Sequence, residues 1–220
     1  GYLRQNGNLS SDLSLYEELK TVFAAELALI GKISQAAEDL ATKTEGTDEY
    51  KKAADRYHRL CLEADAKDAY NVDVKVKTVL GGMGMSPFAD QCVNTLSGGE
   101  KTKAALCKLL LASPELMILD EPTNHLDYKT LDWLETFLSA SKSALIVVSH
   151  DRYFLDKLVG KVWDVQHGKI TQYKGNYTKY KVLKAEYLAR QAKEYEAQQK
   201  EIAKLADYVE RNKARASTAD

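Results

Sequence analysis

Two short apolar runs, LMILD at 116–120 and ALIVV at 144–148, most restrict what this chain can fold into. The stretch between them, 128–140, is about a dozen residues long and patterned as a helix. Strands joined by a helix of that length pair in parallel, because a parallel crossover needs more than a tight turn. Both strands then end on one sheet edge, where open parallel sheets bind their ligands. The first run delivers Asp120 and Glu121 to that edge and turns at Pro122; the second delivers Ser149 and His150.

Adjacent carboxylates at such an edge suit holding Mg²⁺ and activating a water beside a nucleoside triphosphate. Asp120 would hold the metal, directly or through water, and Glu121 would polarise the attacking water. Taken alone, the pattern also fits an ordinary acidic helix start. The stretch LSGGEKTK at 96–103 adds a second signal. Ser97, Gly98 and Gly99 stand ahead of a helix running to about Ala112, where small residues let backbone amides approach an anion. An isolated Ser-Gly-Gly is more often a plain helix cap, and a lone strand-end histidine is more often structural. The order and spacing of the three segments give them weight together.

The rest of the chain is largely helical. Ser14 and Glu17 fit a capping box, and Leu19, Val22, Phe23, Leu27, Ile30 and Ile33 recur at helical spacing. After the turn TEGTDE at 44–49, Tyr50, Ala53, Tyr57, Leu60, Cys61 and Ala64 form a second stripe, so 14–68 predicts an antiparallel helical hairpin. VDVKVKTVL at 72–80 fits either a strand or a helix. KVWDVQ and ITQYKG, around HGK, predict a β-hairpin turning at Gly168. From Tyr177 to Lys213 there is neither Gly nor Pro, predicting a helix about 55 Å long with a thin apolar seam. Such a helix docks on a partner or bridges two bodies.

Net charge is −1, yet Tyr177 to Arg215 holds ten Lys and Arg against six Asp and Glu. Lys179, Lys181, Lys184 and Arg190 could meet nucleic-acid phosphates, or simply line a solvated face. Three scattered cysteines, Cys61, Cys92 and Cys107, suit reduced thiols in the cytoplasm. No run approaches the ~20 apolar residues that a membrane crossing needs.

Together these segments closely resemble the ATP-binding cassette family, and specifically its ABC-F branch. LSGGE matches the ABC signature, LMILDE the Walker B motif with its catalytic Glu, PTNHLD the ABC-F D-loop, and SHDRYFLD the switch histidine with its ABC-F continuation. GYLRQ looks like the strand and Gln of the Q-loop, and GKITQYKGNYTKY with EYEAQQKEIAKL is similar to the start of the interdomain linker. The resemblance implies an α/β fold: an incomplete P-loop NTPase cassette, a parallel sheet with helices, carrying an inserted helical hairpin arm and a long C-terminal linker helix. It divides the chain into a Q-loop segment (1–13), the arm (14–70), a helical subdomain with the signature (71–114), the Walker B, D-loop and switch part (115–176) and the linker helix (177–220).

The resemblance also assigns roles. Gln5 would sense Mg²⁺ and the attacking water, Asp120 would support the metal, Glu121 would be the general base and His150 would contact the γ-phosphate. Asp127 would communicate across the interface with a second cassette, and Ser97, Gly98 and Gly99 would bind the γ-phosphate of the opposing site. ATP and Mg²⁺ are the implied cofactors. The implied partners are a second cassette of the same protein and the ribosome, its rRNA and tRNA approached through arm and linker. An ABC transporter's nucleotide-binding subunit and a non-catalytic interaction module are the alternative readings.

The phosphate loop G-x-x-x-x-G-K-[ST] is not found in these residues: the Gly-Lys pairs at 31–32, 160–161 and 168–169 lack its other members. The chain is therefore expected to be an internal piece of an ABC-F ATPase, inactive by itself and carrying unpaired strand edges prone to self-association. Housekeeping translation factor and antibiotic-resistance factor both stay open.

Overall fold

The computed structural model describes residues 1–3, 9–124 and 126–216, with side chains through 210. The chain forms two compact units, Gly1–Asp151 and a second beginning at Arg152.

At the centre of the first unit, β1 (Tyr2–Leu3), β2 (Leu116–Asp120) and β3 (Ala144–Val148) make a parallel sheet in the order β1-β2-β3. Its register sets Tyr2 against Ile118 and Ile118 against Ile146. Met117 and Leu119 of β2 are fully buried, as a central strand requires. β3 is less covered, with Val148 55% exposed. Among the described residues its outer edge has no strand partner.

α1 (Leu15–Lys20) begins at the Ser14–Glu17 capping box. A 3-10 turn over Thr21–Phe23 then separates it from α2 (Ala24–Ala41). The first half of the expected hairpin is thus two helices with different neighbours. α1 buries Leu15 and Leu19 and lies against α4 (Val72–Gly82) and α5 (Gly98–Ala112). α2 packs instead on α3 (Asp48–Ala66). The break rotates the apolar stripe, so Leu29 is buried where Leu27 was expected and Leu27 is 36% exposed. Leu29, Ile33, Ala64 and Ala69 form a cluster local to this pair, covered by Ile30, Tyr57, Leu60 and Cys61.

The ambiguous stretch at 72–80 is helical. Val72, Val76, Val79 and Leu80 are buried while Val74 is 60% exposed, a spacing of three to four rather than two. α4 packs on both α5 and α6 (Tyr128–Ala140), and Met83, Leu106, Leu110 and Leu134 are buried, each side chain contributing ~1.5–3 kcal/mol of transfer free energy. Glu18 of α1 is buried as well and is bonded by Lys108 of α5.

In the second unit, α7 (Arg152–Leu158) leads into the antiparallel pair β4 (Lys161–Gln166) and β5 (Lys169–Lys174), then α8 (Tyr177–Ala216). The two-residue turn takes φ of +48° at His167 and +73° at Gly168, the conformation that matches the twist of the strands. One face of the β-hairpin supports α8: Tyr173 meets Tyr180 edge-on at 5.1 Å, and Asp164 pairs with Lys184 at 2.8 Å. Hydrogen bonds to Asp164 and Tyr180 hold the Lys184 ammonium above the ordinary lysine range. Among the described residues, no helix is long and apolar enough to cross a membrane.

Candidate functional site at the carboxyl edge of the sheet

The sheet hydrogen bonds place the site. β2 and β3 run in register to Asp120 and Val148, so the two strands end level. The next residue, Glu121, has φ +47°, a left-handed conformation that costs a residue with a Cβ about 1–3 kcal/mol. Its N–H donates to the Val148 carbonyl at 2.8 Å, carrying the inter-strand contact one residue past the sheet. The turn closes through Asn124 N–H to the Glu121 carbonyl at 3.2 Å. The backbone is thus bent sharply at the residue named as general base.

That bend brings Glu121 to His150. Glu121 Oε1 lies 3.3 Å from His150 Nε2, and Oε2 accepts from the His150 backbone N–H, also at 3.3 Å. The glutamate side chain is 11% exposed and the imidazole 99%. The carboxylate is therefore fixed at the sheet edge, while the ring stands in solvent and is a charged partner only when protonated. Beside them, Ser149 Oγ lies 3.4 Å from Thr123 Oγ1 and accepts from Asp151 N–H at 3.1 Å, tying the two strand-end loops together.

The other two motifs cap helices. Ser97 Oγ accepts from Glu100 N–H at 3.4 Å, and Glu100 Oε2 accepts from Ser97 N–H at 2.7 Å. Hydrogen bonding of the carboxylate with the Ser97 hydroxyl, then with its N–H, holds the Glu100 carboxyl below its ordinary range. A Cβ on Gly98 would meet nothing within 4 Å, so this helix start presents open backbone. Asp127 caps α6, accepting from Thr130 N–H at 2.9 Å and Thr130 Oγ1 at 3.1 Å, and the backbone bond, then the hydroxyl, lowers its carboxyl. The Lys103 charge adds to both depressions.

The structure thus joins Glu121 to His150, sets Asp120 one residue upstream, and gives Ser97, Gly98, Gly99 and Asp127 to helix starts with local bonds. Gln5 lies outside the described residues. Sequence reasoning missed the left-handed Glu121 and the Thr123–Ser149 contact. Nothing local hints at either: proline biases the residue before it toward extended backbone, not the left-handed region.

Among the described residues no group of three or more His, Cys, Asp or Glu could hold a metal. Mg²⁺ in nucleotide sites takes one or two carboxylates and fills its remaining positions with phosphate and water. Asp120 and Glu121 at an open edge fit that requirement and do not fit an all-protein cage.

Comparison with known proteins identifies the family. Two family models described as ABC transporter match, one over residues 1–124 and one over residues 163–220. Among curated relatives, the "Putative ATP-binding protein YdiF" of Bacillus subtilis is 47% identical over 219 residues, 99% of this chain and 34% of the relative. The "Energy-dependent translational throttle protein EttA" of Mycobacterium tuberculosis is 35% identical, covering 95% of this chain and 36% of the relative. "ABC transporter F family member 5" of Arabidopsis thaliana is 34% identical over 100% of this chain and 32% of the relative. The chain therefore spans about a third of the length of these relatives. Among solved structures, an "ATP binding subunit of ABC transporter" matches with a TM-score of 0.51 at 15% identity, over 79% of this chain and 57% of that one, a likeness of fold. The chain belongs to the ATP-binding cassette (ABC transporter) family, with ABC-F members among its relatives along nearly its whole length.

Proposed function

We propose that the protein containing this chain is an ABC-F ATPase that hydrolyses ATP between two cassettes and acts on the ribosome, and that these residues supply the acid, base and sensor side of one site. The observation that carries the reading is the Glu121–His150 pair at 3.3 Å, held by a strained turn at the end of a parallel sheet.

In this reading Glu121 takes a proton from the attacking water, a role typically worth ~10²–10⁴-fold in rate. Its backbone bond to Val148 and its contact with the His150 N–H keep the carboxylate from swinging away. His150, exposed and free to turn outward, contacts the γ-phosphate. Asp120 and Gln5 hold the metal, which when bound neutralises charge on the phosphates. Ser97, Gly98 and Gly99 offer backbone amides to the nucleotide of the opposing cassette, and Asp127 stands at the start of α6 to meet that cassette. The five-part division of the chain, with an arm at 14–70 and a linker helix from 177, belongs to the same proposal. So do a cytoplasmic location, which three free cysteines suit, and contact of the arm and α8 with rRNA or tRNA.

The test uses the full-length protein. Glu121→Gln keeps size and hydrogen bonding but removes the base, so ATP hydrolysis falls by ~10²-fold or more. The variant stays with ribosomes on co-sedimentation with ATP, where the native protein releases. A variant that hydrolyses ATP at the native rate would refute the assignment of the base. Co-sedimentation absent at both low and high salt would refute the ribosomal part alone.

A further inference from the structure

Among the described residues, two polar anchors hold α8, both within its first two turns, beside the Tyr173–Tyr180 contact. Near its start, Asp156 of α7 grips Thr178 with both carboxylate oxygens: Oδ1 accepts the backbone N–H at 2.6 Å and Oδ2 accepts the hydroxyl at 3.0 Å. Asn176 Oδ1 takes a further first-turn amide, from Lys179, at 3.1 Å. A carboxylate there satisfies an amide that has no partner within the helix and lies at the favourable end of the helix dipole. Two turns on, Lys184 Nζ lies 2.8 Å from Asp164 of β4 and donates to Tyr180 Oη at 3.0 Å. Asp164 is only 15% exposed, so this pair is sheltered from solvent.

Past Lys184 the described bonds run along the helix itself. Gln191 donates to Tyr187 Oη at 2.8 Å, the Arg190 guanidinium lies 5.7 Å from the Tyr187 ring, and Arg190 approaches Glu194 at 4.0 Å. Its apolar residues, from Leu188 at 51% to Tyr208 at 67%, are exposed. At 1.5 Å per residue, the two anchors are about 9 Å apart and the far end, Ala216, is about 57 Å from Thr178.

We propose that Asp156 and Asp164 are the two pins of a lever: they fix the base of α8 to α7 and to the β-hairpin, and the free length of the helix magnifies any play at the pins about sixfold at its far end. Asp156 is a positioning residue, acting through α8. α7 begins two residues after His150 along the chain. The pins do not depend on the function proposed above.

The test measures the lever without nucleotide, and so is independent of any ATPase activity. Spin labels are placed at Gln172→Cys on β5 and Gln198→Cys on α8, with Cys61→Ala and Cys92→Ala to remove the less buried native thiols. Pulsed dipolar spectroscopy then reads the distance distribution. The native pins give one narrow distance. Asp156→Ala and Lys184→Met each broaden it, and together they broaden it most, by about 3 Å at Gln198 for each ångström of play at Lys184. Thr178→Val, which deletes only the hydroxyl bond, replaces Asp156→Ala should that variant not fold. Circular dichroism confirms that α8 stays helical. A distribution unchanged in the double variant, or equally broad with both pins intact, overturns the lever. ATP hydrolysis at the native rate in full-length Glu121→Gln would refute the proposed base and leave the lever standing.

Discussion

Two glycine-to-alanine substitutions in helices of the first unit should act in opposite directions. Gly31 lies in the middle of α2, exposed, and a Cβ there would meet nothing within 4 Å. Its replacement removes backbone freedom from the unfolded chain and raises stability by about 0.4–1 kcal/mol. Gly82, the last residue of α4, faces the indole of Trp133 on α6. A Cβ there would lie 1.9, 2.1 and 2.5 Å from three ring atoms, against the ~3.5–4.0 Å of an ordinary carbon contact. The ring would have to withdraw by about 1.5 Å, and it leans on Phe137 with centroids 5.1 Å apart. Overpacking of this kind costs about 1–3 kcal/mol, and the alanine helix preference returns at most about 1 kcal/mol. Gly82→Ala should therefore lower stability by about 1–2 kcal/mol. Urea unfolding followed by circular dichroism at 222 nm measures both variants. Trp133→Leu, with a smaller side chain, should remove most of the Gly82→Ala penalty. A midpoint raised by Gly82→Ala, or a penalty undiminished beside Trp133→Leu, would refute the notch.

Lys108→Met leaves Glu18 buried without its cation and should cost about 2 kcal/mol, less than the ~3–5 of a fully buried pair because the lysine side chain is 35% exposed. Burial pushes the Glu18 carboxyl up, but hydrogen bonds from Lys108 and Ser11 and the Lys108 charge outweigh it and hold the group below its ordinary range. Its stabilisation is complete above the ordinary glutamate value of ~4.3 and disappears as pH falls through the lowered folded value. Acid titration of stability should thus be shallower in Lys108→Met; an identical slope would remove Glu18 as the group responsible. The 220-residue chain, which contains no G-x-x-x-x-G-K-[ST] run, should give no micromolar ATP binding by calorimetry, and such binding would show that the phosphates are held another way.

Helix starts and the two main strands were legible because their signals are local. Ser14 with Glu17 forms the capping box that its spacing predicts, Ser97 caps the helix expected after it, and the runs at 116–120 and 144–148 are strands. Less legible was whatever depends on a neighbour distant in sequence. The 3-10 break at Thr21–Phe23 lies inside an unbroken helical pattern, between a helix set against α4 and α5 and another packed on α3. The stretch at 72–80 alternates in its first half, yet α1 and α5 enforce helical burial. At the site, the residue types Asp120, Glu121 and His150 could be read from motif order. The left-handed turn of Glu121 could not, because it depends on a carbonyl 27 residues further along, at Val148. Asp156 closed a recognised motif with no role of its own until Thr178, 22 residues later, was folded against it.

The small apolar cluster shared by α2 and α3 bears on how such proteins diversify. Leu29, Ile33, Ala64 and Ala69 are satisfied by one another and by side chains of the same two helices and the turn after them. Because that cluster is closed on itself, changing the length or identity of the pair would leave the buried strand β2, which leads to Glu121, with its own covering intact.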